Sequence, residues 1–149
     1  MLVVEDVMTV KPITLFRYDS MADARNLMHK HGFRHLPIID ENQQIIGLVS
    51  QRNILANSIS SQCYVDEHEL AKIEMGTLIA DIMTKQVTTI SCDTEITDAA
   101  LLIHKKKYGC LPVVDISNKL VGIITDHDFV AITIQLLEIM AQNEPPELE

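Results

Sequence analysis

Tryptophan is absent from this chain and aromatic residues make up only 4% of it. Little is left from which to build the stacking platforms that hold single-stranded nucleic acids. Cations are scarce as well: 12 Lys and Arg stand against 21 Asp and Glu, for a net charge of −9. That is the wrong sign for a surface that neutralises many backbone phosphates, so nucleic acid is not an expected partner. One phosphorylated metabolite stays compatible with the charge if a local cluster supplies positive potential. Cysteine is limited to Cys63, Cys92 and Cys110. An odd, widely spaced set without a Cys-x-x-Cys pair makes neither a disulfide framework nor a metal knuckle, and reduced thiols with packing roles are expected. No apolar run approaches the ~18 residues of a membrane span. The start Met1-Leu2-Val3-Val4-Glu5-Asp6 lacks the basic flank and apolar core of a secretion signal. No membrane partner is expected, and a cytoplasmic home is the default.

What is present is enough apolar material, 47% of 149 residues, for one compact domain or two small half-domains around a shared core. An internal repeat decides between them. Displacing the chain by 75 residues lays 4–55 onto 79–130 without a gap. Val4-Glu5-Asp6-Val7-Met8-Thr9 meets Ile79-Ala80-Asp81-Ile82-Met83-Thr84. Leu36-Pro37-Ile38-Ile39-Asp40 meets Leu111-Pro112-Val113-Val114-Asp115. Ile45-Ile46-Gly47-Leu48-Val49-Ser50 meets Leu120-Val121-Gly122-Ile123-Ile124-Thr125.

Each copy reads as the same string of elements. An extended stretch, 12–16 or 87–91, comes first. In the first copy Ser20 and Asp23 form a capping box, Met21, Ala24, Leu27 and Met28 make an apolar helical stripe, and Gly32 ends it. In the second, Asp93 or Thr94 is the expected cap and Ile96, Ala99, Leu102 and Ile103 the stripe. Two apolar strands follow, 36–39 and 45–49 or 111–114 and 120–124, joined by the polar turns 41–44 and Ser117-Asn118. A second helix starts after Ser50 or Thr125. The order is β-α-β-β-α, twice, in an α/β (α+β) fold.

A lone unit of roughly fifty residues would be marginal, and the near-continuous apolar strands call for cover on both faces. Two copies packed sheet to sheet about a pseudo-twofold axis satisfy both demands, with equivalent crevices on either side of the axis. The expected boundaries are 1–59 for the first repeat, 60–78 for a linker, 79–140 for the second repeat and 141–149 for a disordered acidic tail. Within the linker, Asp66 caps a short helix ending before Gly76, and Ser58 begins a loop. The last helix is apolar on more than one side over 130–140, which asks for a partner surface.

The repeated Asp-hydrophobic-Met-Thr start, the Leu-Pro-hydrophobic-hydrophobic-Asp strand and the Gly-hydrophobic-hydrophobic-[Ser/Thr]-x-x-[Asp/Asn] end resemble the cystathionine-beta-synthase (CBS) domain. The tandem resembles the Bateman module. The likeness covers nearly the whole chain except the linker and tail. It implies a regulatory module whose crevices hold AMP, ADP, ATP or S-adenosylmethionine, as in energy-sensing relatives of the AMP-activated kinase gamma subunit. It also implies flat disc-like homodimers, here through the second helices at 53–59 and 129–140. With no catalytic domain in the chain, an effector protein would read the signal in trans.

By that resemblance Asp128, ending Thr125-Asp126-His127-Asp128, accepts from a ribose diol. The Thr125 hydroxyl and the free N–H groups of the following helix meet phosphate, with His127 beside them. The same four residues also read as a plain capping box, and the two roles are compatible for Thr125. The first copy departs from the pattern: Ser50-Gln51-Arg52-Asn53 ends in an amide, so one good site is expected rather than two. Arg34 and His35 stand where relatives carry phosphate-binding His-Arg, in reversed order, and Arg52 is a further cation. Main-chain groups around Pro12, Ile13 and Thr14, or around Thr89, would read the base, flanked by Leu36, Ile90 and Leu111. The run Lys105-Lys106-Lys107 reads as a solvated helix end. His29, His31 and His35 straddle a helix break and do not converge, so no metal is expected. No cofactor is required. No nucleophile–base pair, Walker loop or metal triad suggests an enzyme. The competing reading is a ligand-free dimerisation scaffold.

Overall fold

In a computed structural model of the chain, residues 1–58 and 66–145 are described. A 3-10 turn, Val4–Asp6, leads into β1 (Thr9–Val10), α1 (Met21–His31), β2 (His35–Ile39), β3 (Ile45–Ser50) and α2 (Gln51–Asn57). Then come α3 (Glu67–Gly76), α4 (Ile79–Ile82), β4 (Ile90–Ser91), α5 (Ile96–Lys106), β5 (Cys110–Val114), β6 (Leu120–Thr125) and α6 (Asp126–Gln142). Among the described residues no helix is long and apolar enough to cross a membrane.

Local chemistry sets most of these ends. The Ser20 Oγ accepts from the Asp23 N–H at 3.1 Å while the Asp23 carboxylate accepts from the Ser20 N–H at 3.0 Å, satisfying two orphan donors at the start of α1. Gly32 closes that helix with φ +73, in the left-handed region where glycine carries no Cβ penalty. Asp66 caps α3 by accepting from the Glu69 N–H at 2.8 Å. The expected cap of α5 needs correction. The N-cap is Glu95, without a side-chain bond. Asp93 accepts from the Ser91 hydroxyl at 2.5 Å and Thr94 from the Ser91 N–H at 3.2 Å. A turn after β4 thus competes for both side chains.

The twofold relation is written in the pairings. Gln44 bridges Lys119, its own counterpart 75 residues on, so the axis passes between them. Most other pairings across the halves come with their mirror; Val10 with Gly122 is the exception. Thr9 pairs with Ile123, and Thr84 with Leu48. Val3 bridges Glu95, and Ser20 bridges Leu78. The segment leading each repeat is therefore built into the other half, adding a strand to the second sheet and a single bridge to the first. The second sheet runs β1-β6-β5-β4, with β4 parallel to β5 and the rest antiparallel. The first pairs β2 with β3, flanked by bridges from Leu15 to Ile38 and from Thr84 to Leu48.

The two cores follow the exchange. Ile79 and Ile82 pack with Leu36, Ile38, Val49, Met21 and Ala24, whereas Val4 packs with Leu111, Val113, Ile124 and Ala99. Leu36, Leu111 and Ile90 are core residues and do not flank a ligand crevice, because the strand pleat turns them inward.

Met8 and Met83 lie on the glycines of the opposite repeat. A Cβ on Gly122 would fall 2.5 Å from the Met8 Sδ and 3.0 Å from the Thr9 carbonyl oxygen. Methionine can move; the paired backbone cannot without opening β1 from β6. Gly122→Ala is expected to cost about 1–3 kcal/mol in urea unfolding. Gly76→Ala, with nothing within 4 Å, is expected to cost nothing.

α6 buries no residue completely, and Val130, Ile134, Leu136, Leu137, Ile139 and Met140 are all more than half exposed. The remaining expectations for 59–65 and 146–149, including Cys63, Ile59 at the end of the second helix, the loop after Ser58 and the last residues of the tail, lie outside the described residues.

Candidate functional site

A solvent-open cleft of about 850 Å³ lies between the halves. The first half contributes Pro12, Ile13, His31, Gly32, Phe33, Arg34, His35 and Pro37. The second contributes Ile123, Thr125, Asp126, His127, Asp128 and Val130, and Thr9 and Lys11 of the exchanged segment complete the wall. Seven residues expected from the sequence thus come together: Pro12, Ile13, Arg34, His35, Thr125, His127 and Asp128. Thr14 is half-buried and does not line the cleft. Ser50, Arg52 and Asn53, the counterparts of Thr125, His127 and Asp128, belong to the twofold-related position on the other side of the axis, and Thr89, the counterpart of Thr14, does not line the cleft.

Asp128 is held by its own helix and still faces the cleft. Its Oδ2 accepts from the Thr125 N–H at 2.8 Å and from the Thr125 hydroxyl at 3.2 Å. Oδ1 has no donor among the described residues. The capping role and an outward acceptor thus coexist in one carboxylate. Asp126 donates its N–H to the Gly109 carbonyl at 3.2 Å, and its carboxylate accepts from the His127 N–H at 2.8 Å.

The twofold-related position is furnished differently. The Asn53 side-chain Oδ1 accepts from the Ser50 N–H and hydroxyl, each at 2.8 Å, and its Nδ2 reaches the Thr84 hydroxyl at 3.5 Å. Both ends of the amide are thereby engaged. Thr88 and Tyr108, the counterparts of Ile13 and Phe33, share a hydrogen bond of 3.1 Å that ties the two walls together.

His35 marks the seam between the halves. Its ring lies against the backbone of Gly109, where any Cβ would come within 2.7 Å of Cε1 and Nε2. A glycine there is what lets the imidazole in. Burial lowers the pKa of His35 below its usual 6.5; Asp126 opposes the shift, and Arg34 and Arg52 reinforce it. The unfolded chain therefore binds this proton more readily than the folded one. The contribution is complete above the unfolded value and is lost as pH falls below it. The thermal midpoint is expected to drop as pH falls below about 6.5, and His35→Gln should flatten that dependence.

Cys110, the counterpart of His35, is buried. Burial, then Asp126 and Asp128, push its thiol far above the usual range, so it is an inert packing residue. Among the described residues no three His, Cys, Asp or Glu side chains converge as a metal site.

Sequence reasoning missed Lys11, Thr9 and Gly109. A usable signal existed for the last, since Gly109 stands where the first copy has Arg34 beside His35, a small-for-large exchange across an axis.

Comparison with known proteins gives one answer throughout. The family described as CBS domain matches residues 4–60 and 79–133. The crystal structure of a putative acetoin utilization protein (AcuB) from Vibrio cholerae is similar at TM-score 0.78 and 40% identity, covering 97% of this chain and 99% of that one. CBSX2 of Arabidopsis thaliana in complex with AMP is similar at TM-score 0.76 and 30% identity, covering 91% and 98%. The CBS domain pair of protein MJ0100, in complex with 5′-methylthioadenosine and S-adenosyl-L-methionine, is similar at TM-score 0.73 and 28% identity, covering 89% and 99%. This chain spans 61% and 60% of the length of the chloroplastic relatives CBSX1 and CBSX2.

Proposed function

The chain belongs to the CBS-domain family, and on that premise we propose that it is a regulatory module, not an enzyme, that binds one adenosyl ligand in the cleft between its halves. The observation that carries this reading is the cleft itself. It is open, walled by both repeats, and rimmed by Asp128 with one carboxylate oxygen unspent. Two neighbours are complexes with adenosyl compounds, AMP in one and 5′-methylthioadenosine with S-adenosylmethionine in the other. The ribose diol meets Asp128, phosphate or another 5′ substituent meets Arg34 and Thr125, and the base rests on Pro12 and Ile13. Because the walls come from different halves, occupancy changes their relative orientation, and a partner in trans reads the change.

Thermal shift with AMP, ADP, ATP and S-adenosylmethionine tests this. A ligand present at a hundred times its dissociation constant adds ~2.7 kcal/mol of stability. A midpoint unmoved by all four leaves the sensor reading without support. The engaged Asn53 and the Thr88–Tyr108 tie argue for one ligand per chain, not two.

A second reading, a dimerisation scaffold, is favoured by the exposed apolar side of α6 together with Leu55 of α2. It is compatible with sensing: the helices would pack in a homodimer while the cleft stays open. Light scattering after size exclusion is expected to give twice the 16.8 kDa chain mass at micromolar concentration, and a strict monomer would contradict it. The cytoplasm is the proposed compartment, where Cys92 and Cys110, both free, stay reduced.

A further inference from the structure

We propose that the cleft selects adenosyl ligands carrying a 5′-phosphate over the sulfonium S-adenosylmethionine, and that Lys11 makes the selection; this deepens the reading above and rests on it. Among the described residues, four other than glycine adopt positive φ: Lys11, Gln43, Lys107 and Asn118. Three have a structural reason. Gln43 and Asn118 are twofold counterparts in the hairpin turns, and Lys107 caps α5 where Gly32 caps α1. Lys11 has no such reason. Its counterpart Gln86 is not in the left-handed region, so the repeat does not require the conformation. It also precedes Pro12, where the chain is normally extended. A left-handed lysine is unfavourable, and such outliers persist where the surroundings hold a group for use. Here the group lines the cleft.

Charge points the same way. Lys11 and Arg34 both line the cleft, and neither has a carboxylate within salt-bridge distance among the described residues. Their counterparts, Gln86 and Gly109, carry no charge. In a chain of net charge −9, two cations without a carboxylate partner among the described residues both line this cleft. With Asp128 assigned to the ribose, they stand free to meet what extends from the 5′ carbon. A phosphate is attracted there, and a sulfonium is repelled.

Titration calorimetry on the full chain with adenosine, AMP and S-adenosylmethionine tests the inference, repeated on Lys11→Gln and Lys11→Arg. AMP is expected to bind at least about 10-fold more tightly than adenosine, with S-adenosylmethionine no tighter than adenosine. Lys11→Gln should remove most of the AMP advantage without changing adenosine, and Lys11→Arg should keep it. Binding of AMP alone, with none of adenosine, also supports the proposal. Equal affinities for AMP and adenosine, tighter S-adenosylmethionine, or a Lys11→Gln loss shared equally by adenosine would overturn the selection while leaving the adenosyl site standing. Absence of binding by all three overturns the site, and the selection with it.

Discussion

Replacing Asp128 by asparagine is expected to weaken adenosyl binding about 10- to 100-fold while leaving the fold intact. The carboxylate offers a charge-assisted acceptor to the ribose, worth ~1.5–3 kcal/mol against ~0.5–1.5 for a neutral one. The chain already displays what an amide does at this point of the repeat. Asn53 caps Ser50 with its oxygen and spends its nitrogen on Thr84. By the twofold, the amide of the Asp128→Asn variant would cap Thr125 and turn its nitrogen towards Thr9, which lines the cleft. Loss of the charged cap should cost the unliganded protein no more than about 1 kcal/mol. Calorimetry with AMP, beside thermal unfolding without ligand, separates the two effects. Unchanged affinity would remove Asp128 from the site and leave it a cap.

The largest expected loss of stability comes from Arg25→Ala. Glu74 is the one buried charged residue among the described residues, 6% exposed. The Arg25 guanidinium holds it through Nη2–Oε1 at 2.6 Å and through Nε to both carboxylate oxygens at 3.0 Å. A second contact from Nη2 reaches the Ser58 hydroxyl at 2.8 Å. The pair straps α3 to α1, whose last residue His31 lines the cleft, so it also steadies the site from behind. Removing the arginine leaves a buried carboxylate unpaired, which costs about 3–5 kcal/mol in a fully buried pair. The lower end is expected, since the Arg25 side chain is 42% exposed. A double replacement, Arg25→Met with Glu74→Leu, should recover most of the loss. Urea unfolding of the parent chain and the two variants measures it. A double variant as unstable as Arg25→Ala would mean the pair holds α3 by shape and not by charge.

Much of the fold was legible because the sequence states it twice. The capping box of Ser20 and Asp23, the stop at Gly32, the hairpins and the cap of α3 each rest on side chains whose partners lie within four residues. The exchange of leading segments was not legible. Thr9 and Val10 form a strand of two residues, too short for any periodicity, and nothing local says which sheet such a strand joins. The one available signal was correlated size, Met8 and Met83 against Gly122 and Gly47, and it becomes meaningful only once the axis is known. The cap of α5 was misread because Ser91 draws Asp93 and Thr94 into a turn, a competition between neighbours of similar strength.

The candidate site divides in the same way. Asp128 and Thr125 could be read from the repeated motif, and Arg34 and His35 from their place before Leu36-Pro37. Lys11 could not, because its importance lies in a backbone conformation. The inequality of the two twofold-related positions was half visible: Asn53 stands where the acid is expected, but the Thr88–Tyr108 tie joins residues twenty apart in separate loops.

Amide chemical-shift mapping during an AMP titration shows whether one cleft between the halves takes the ligand. Saturation at one equivalent per chain is expected, with perturbations centred on residues 9–13, 31–35 and 125–128 and little change at 50–53 or 88–89. Two equivalents, shifts confined to the outer side of α6, or no shifts at all would contradict it.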